Sequence, residues 1–383
     1  MLKILIFISV TILIALNSKN AYAIEDPHAF PNNKFGVHIL FTTELSDASR
    51  LVNSSMGDWG YITIPIQASD KDLEKWQKFM DDCFRLHLIP IIRIATENYY
   101  FNTSFWRKPL QEDVLDFANF LNSLKWPVKN RYVIIFNEVN RGDEWEGKPN
   151  PSEYAQVLSY AYKVFKSLSS DFFIISAGLD NAAANSNTAL NQYNFMRLMN
   201  EEVPGVFSQI DGLGSHSYPN PGFLQPPWII TDKSISSFIF EKNLAYELSG
   251  KNLPVFITET GWTNKNLSEN QIGQYFTYAF GDTWSNQDIV AVTPFLLQAG
   301  VEPFSQFSLL SRDGEYNEIS RALLKIPKTK GNPTINILPS YFSKSANDIP
   351  FKTFRKQTQY ETYLRLRAKA ITPFFKWFLK IPN

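Results

Sequence analysis

Eight short apolar runs, rich in β-branched and aromatic residues, recur along the chain with longer stretches between them. They are "FGVHILF" (35–41), "YITIPI" (61–66), "IPIIRIA" (89–95), "YVIIF" (132–136), "FFIISAG" (172–178), "IDGLGSHSY" (210–218), "LPVFITE" (253–259) and "VAVTPFLLQ" (290–298). Near-continuous apolar runs of this length suit strands buried on both faces. Several intervening stretches carry a helical spacing instead. Leu73, Trp76, Phe79, Cys83 and Leu86 fall three and four apart, as do Val114, Phe117, Phe120 and Leu121. Pro151 and Ser152 open a third such stretch, and Ser268 with Gln271 makes a capping box for a fourth. Eight strand-plus-helix units predict an α/β fold, a (β/α)8 TIM barrel over 34–327. An open doubly wound sheet is the competitor, but the first run leads into no G-x-G-x-x-G turn.

The ends of the chain read differently. Residues 1–23 pair a Lys3 start with the apolar "ILIFISVTILIAL" and a small-residue "AYA", the layout of a signal peptide cleaved after Ala23. Residues 24–33 form a short lead-in to the barrel. Residues 328–383 are a basic C-terminal extension, opening on a linker-like "KTKGNPTINILPS". Its end, "TYLRLRAKAITPFFKWFLKIPN", mixes Arg and Lys with aromatics. That profile fits contact with a membrane or other anionic surface, or with the acidic barrel itself. Basic residues confined to a tail do not make a nucleic-acid-binding domain. The single cysteine, Cys83, permits no internal disulfide and reads as a small core residue. With 44% hydrophobic and 19% charged residues, the chain can bury a large core without one.

In a barrel the C-terminal strand ends share one face, where active sites are built. Asn137 and Glu138 close the fourth run, His216 and Tyr218 the sixth, and Glu259 the seventh, while Arg93 lies within the third. Two glutamates can therefore converge across the mouth, and two carboxylates in unlike surroundings are what glycoside hydrolysis requires. One must hold a proton near neutral pH and the other stay ionised. Aromatic residues after the strand ends, among them Tyr99, Tyr100, Trp106, Trp145, Phe223, Trp228 and Trp262, are candidates to stack on sugar rings. The four histidines are dispersed in sequence without metal-ligand spacing, and no phosphate loop appears, so neither a metal nor a cofactor is expected.

"FNEVN", "HSY" and "ITETGW" together resemble the signature of the clan A glycoside hydrolases, the retaining (β/α)8 enzymes that include cellulase family 5 and the family 39 xylosidases. The resemblance implies Glu138 as acid/base and Glu259 as nucleophile. It implies Asn137 on the sugar 2-hydroxyl, Tyr218 on the nucleophile and His216 in the same subsite. Trp145 and Trp262 are then expected to contact substrate, an oligo- or polysaccharide. The chain departs from the pattern twice. The second run has no arginine, for which Arg93 is the candidate substitute, and Phe295 and Gln298 stand where a tryptophan often closes the eighth. A catalytically silent saccharide-binding barrel is the alternative.

Overall fold

The computed structural model describes residues 24–99, 102–299 and 303–336. The expected signal peptide, Tyr100 and the basic segment from residue 337 onward lie outside the described residues. All eight runs form strands: β1 (Gly36–His38), β2 (Gly60–Gln67), β3 (Leu88–Ala95), β4 (Arg131–Ile135), β5 (Phe172–Ser176), β6 (Leu213–His216), β7 (Val255–Glu259) and β8 (Ile289–Val292). Helices alternate with them: α1 (Leu45–Val52), α2 (Leu73–Arg85), α3 (Gln111–Ser123), α4 (Pro151–Leu168), α5 (Gln192–Glu202), the single turn α6 (Val206–Gln209), α7 (Ser237–Ser249), α8 (Glu269–Gly281) and α9 (Glu318–Lys325).

Strands β1 to β5 pair in parallel and in order, and so do β6 to β8. Single parallel bridges carry the circuit across both seams, Ile175 to Gly212 and Phe35 to Val292. The fold is thus an α/β arrangement of (β/α)8 type. Inside the ring, Tyr61, Ile91, Tyr132, Ile134, Phe173, Ile175, Phe256 and Val290 pack as one buried cluster. Outside it, each helix lays an apolar stripe on the strands. On α2 the buried stripe is Trp76, Phe79, Met80 and Cys83, each apolar side chain contributing roughly 1.5–3 kcal/mol when fully buried. The capping box at Ser268 and Gln271 is formed.

The ends of the described chain close the face opposite the strand C-termini. Asn130 exchanges two hydrogen bonds with the backbone of Glu25. Residues 328–336, which read as part of a linker from their turn chemistry, run across the barrel. The Lys129 and Gly331 amides donate to Thr334 and Asp58, and Asn336 caps the carbonyls of Trp126 and Val128. Lys328 is buried and donates to Ser54 and to the carbonyls of Leu323 and Ile326, and burial pushes its pKa down to about 8. Turn residues misled the prediction because hydrogen bonding, not composition, fixes this segment.

Candidate active site

The β4 strand ends in a sharp turn. Glu138 has a positive φ of 36°, a conformation that costs roughly 1–3 kcal/mol in a non-glycine residue. The turn is held by the Glu138 amide, which donates to the Gly178 carbonyl at 3.0 Å, and by the Arg141 amide, which donates to the Glu138 carbonyl at 2.8 Å. This turn aims the carboxylate over the strand ends, where Oε1 lies 2.9 Å from His216 Nδ1. Gly178 is the floor for that imidazole: a Cβ there would sit 2.1 Å from His216 Cδ2.

Glu259, the last residue of β7, takes Arg93 Nη1 on Oε1 at 2.6 Å and the Tyr218 hydroxyl on Oε2 at 3.1 Å. Burial and the charge of Glu259 raise the Tyr218 pKa well above its ordinary value, which keeps the hydroxyl a donor. The same Arg93 nitrogen donates to Asn137 Oδ1 at 2.6 Å, and Asn137 Nδ2 donates to Glu144 at 3.2 Å. Six predicted residues therefore stand together: Arg93, Asn137, Glu138, His216, Tyr218 and Glu259.

The two tryptophans do not join them. Trp145 is 2% exposed, wedged between Phe136 and Tyr154, with its indole N–H on Glu153. Trp262 is 1% exposed among Tyr275, Phe276 and Trp284, with its N–H on the Gln225 carbonyl. Both rings turned into the helix layer, where burying a large aromatic face stabilises more than exposing it. They are core residues, not sugar platforms. Phe295 is buried against His38, Phe304 and Phe307, and Gln298 reaches back to the Ser311 carbonyl.

Several site residues were not foreseen. Arg141 donates Nη1 to Glu138 Oε2 at 2.8 Å while its Nε and Nη2 grip Asp143 at 3.0 and 2.5 Å. Burial pushes Glu138 up, but Arg141 and His216 outweigh it and hold the carboxyl below its ordinary value. Glu138 is thus ionised in the resting site, not protonated as expected of an acid, because Arg141, three residues on, pairs with it. Glu144 goes the other way. Burial, opposed by Arg141 and reinforced by Asp143 and Glu138, pushes it up to about 8. His38, at the end of β1, lies with Nε2 3.6 Å from Glu259 Oε1. The first apolar run had shown this histidine, but nothing in its spacing connected it to β7.

Glu138, His216 and Glu259 each offer one ligand atom within 4.8 Å of the others, a spacing a cation could bridge. Guanidinium groups already occupy both carboxylates, at 2.8 and 2.6 Å, and would repel one. The trio is a buried, charge-paired cluster.

No family model matches the chain, and no curated protein matches it. Solved structures do. A family 39 glycoside hydrolase from Bacteroides cellulosilyticus superposes with a TM-score of 0.56 at 17% identity, over 79% of this chain and 64% of that one. The glycoside hydrolase GH5_18 from Bifidobacterium longum subsp. infantis gives 0.54 at 11% identity, over 78% and 79%. The fold is that of the clan A glycoside hydrolases. A GH128 endo-β-1,3-glucanase from Sorangium cellulosum shares this clan A fold, with a TM-score of 0.51 at 15% identity over 77% of this chain and 98% of that one. The chain spans less than two thirds of the Bacteroides protein's length, and identities this low speak for the fold alone. The clan A fold brings the ends of β4 and β7 to one mouth, where Glu138 and Glu259 stand.

Proposed function

We propose that the protein is an exported retaining glycoside hydrolase that cleaves a β-linked saccharide with Glu138 as acid/base and Glu259 as nucleophile. The observation that carries this is the spacing of two buried carboxylates, each with an oxygen within 4.8 Å of the other. Retaining enzymes keep their pair about 5–5.5 Å apart, and inverting ones roughly 6.5–9.5 Å, to admit a water. Glu259 would attack the anomeric carbon while Glu138, in the protonated fraction of the enzyme that the Arg141 ion pair keeps small, gives its proton to the departing oxygen. Water, activated by Glu138 as base, then cleaves the glycosyl ester. Arg93 and Tyr218 orient the nucleophile. Export rests on the leader-like first 23 residues, and the basic segment after residue 336 is proposed to contact an anionic surface.

Trapping with a panel of 2-deoxy-2-fluoro glycosides, read by intact mass and peptide mapping, tests the mechanism. A label on Glu259 that disappears in Glu259→Gln supports retention and names the sugar. The Arg141 ion pair on Glu138 favours a second reading, a silent saccharide binder. Glycan binding with neither label nor hydrolysis, equal in wild type and Glu138→Ala, would establish that instead.

A further inference from the structure

Of the eight tryptophans among the described residues, seven are no more than 8% exposed, whereas Trp228 is 54% exposed. Burying an aromatic ring stabilises, so the exposed one asks for a cause. Trp228 lies in residues 217–236, the long connection from β6 to α7, which leaves the mouth beside Tyr218. That connection is held to the barrel at three places. Asn220 donates Nδ2 to Asn181 and its amide to the Lys233 carbonyl. The Gln225 carbonyl accepts from the Trp262 indole at 2.8 Å, and the Pro227 carbonyl from Thr283 Oγ1 at 3.4 Å. Pro226 and Pro227 precede the ring and restrict the backbone that presents it. Tyr275 and Tyr278 of α8 stand against it at 85° and 77°, centroids 5.7 and 6.0 Å away. They are six and nine positions beyond Glu269, where α8 sets off from the mouth, so the ring stands about 9–14 Å down the outer wall.

We propose that Trp228 and Tyr278 form a second saccharide-binding site, a platform on the outer wall of the barrel that holds the polymeric substrate outside the cleft. The choice of a saccharide rests on the glycosidase reading and on the size and chemistry of the patch. Trp228 at 54%, Tyr278 at 40% and Ile230 at 69% expose roughly 300 Å² between them. A stable protein interface needs about 800 Å² from each partner, so the patch is too small for one. A sugar ring offers an apolar C–H face inside a rim of hydroxyls, and the surroundings of Trp228 match both. The indole N–H makes no hydrogen bond among the described residues, and the Tyr278 hydroxyl reaches Asp282, so a donor and acceptors border the rings. A ring already fixed by prolines and tethered carbonyls loses little freedom when a ligand stacks on it. A polymer held there is tethered near the mouth, which raises the effective concentration of its other segments at Glu138 and Glu259.

The test is affinity electrophoresis of the full chain through gels that each hold one soluble neutral polymer, a β-glucan, a xylan or a mannan. It compares wild type, Trp228→Ala and Trp228→Phe, each with the cleft first blocked by a 2-deoxy-2-fluoro glycosyl label on Glu259. Should Trp228→Ala fail to fold, Tyr278→Ala makes the same comparison. Blocked wild type should be retarded by one of the polymers. Trp228→Ala should bind that polymer about tenfold more weakly, and Trp228→Phe should recover part of the loss. Equal retardation of wild type and a folded Trp228→Ala overturns the inference. So does the absence of retardation in a wild type that turns over aryl glycosides and takes the label. Absence of retardation together with a Trp228→Ala that sediments at lower mass than wild type would mark the patch as a contact between copies, and overturns it too. Retardation that depends on Trp228 in a protein that takes no label supports the platform and removes the glycosidase reading. Neither retardation nor label removes both.

Discussion

Replacing Arg141 by methionine should move the alkaline limb of the pH profile to higher pH. Glu138 can act as an acid only when protonated, and the Arg141 ion pair at 2.8 Å favours its ionised form. Unit charges about 4 Å apart at an effective dielectric near 20 attract by about 4 kcal/mol, about three pH units. Two features reduce that. The Arg141 side chain is 37% exposed, and it shares its charge with Asp143. An upward shift of about 1–1.5 units is the working figure. His216, Glu259, Asp180 and Glu144 also act on Glu138 and stay in place, so the shift reports the arginine. The assay is kcat/KM against pH, which reads the free enzyme, on a glycoside whose leaving group needs protonation. A dinitrophenyl glycoside, whose leaving group needs none, should show no such limb in either protein. A limb that stays put in a folded Arg141→Met that still labels at Glu259 would refute the argument that Arg141 sets the protonation of Glu138.

Tyr218→Phe removes a hydrogen bond to the Glu259 carboxylate and should lower kcat/KM by about ten- to a hundredfold with the melting temperature little changed. Gly178→Ala puts a Cβ into the His216 ring, so turnover should fall by about a hundredfold, with the pH limb rising as His216 leaves Glu138. Glu241 is 2% exposed beneath β6, accepts from Ser215, and is pushed up to about 7, chiefly by burial. Its folded pKa lies above the unfolded value, so its contribution is complete below about 4.5 and is lost as pH rises through about 7. Thermal unfolding should show wild type losing about 3 kcal/mol between pH 4.5 and 7.5 that Glu241→Gln does not lose. Deleting residues 337–383 should abolish binding to anionic vesicles in a sedimentation assay; equal binding by both proteins would remove the surface-contact proposal.

What the sequence disclosed follows from what topology forces. A strand buried on both faces must be apolar throughout, so all eight were visible as runs, and Glu138 and Glu259 stood out because each ends one. Parallel order then obliges those ends to meet, whatever the intervening 120 positions do. Side-chain direction is not forced in this way. Trp145 and Trp262 follow strand ends as a sugar platform would, yet rotamer and packing turned both inward, and the aromatic count could not register that. Arg141 was equally opaque. Its reach to Glu138 depends on a tight turn in which Glu138 itself adopts a positive φ, a geometry no periodicity announces. His38 was hidden by its own run, where one polar residue among apolar ones looks like a satisfied core histidine until β7 brings Glu259 to 3.6 Å. The chemistry therefore divides along the same line. The pair of carboxylates is written in the order of the strands, whereas the Arg141 ion pair on Glu138 and the approach of His38 to Glu259 are visible only once the chain has folded.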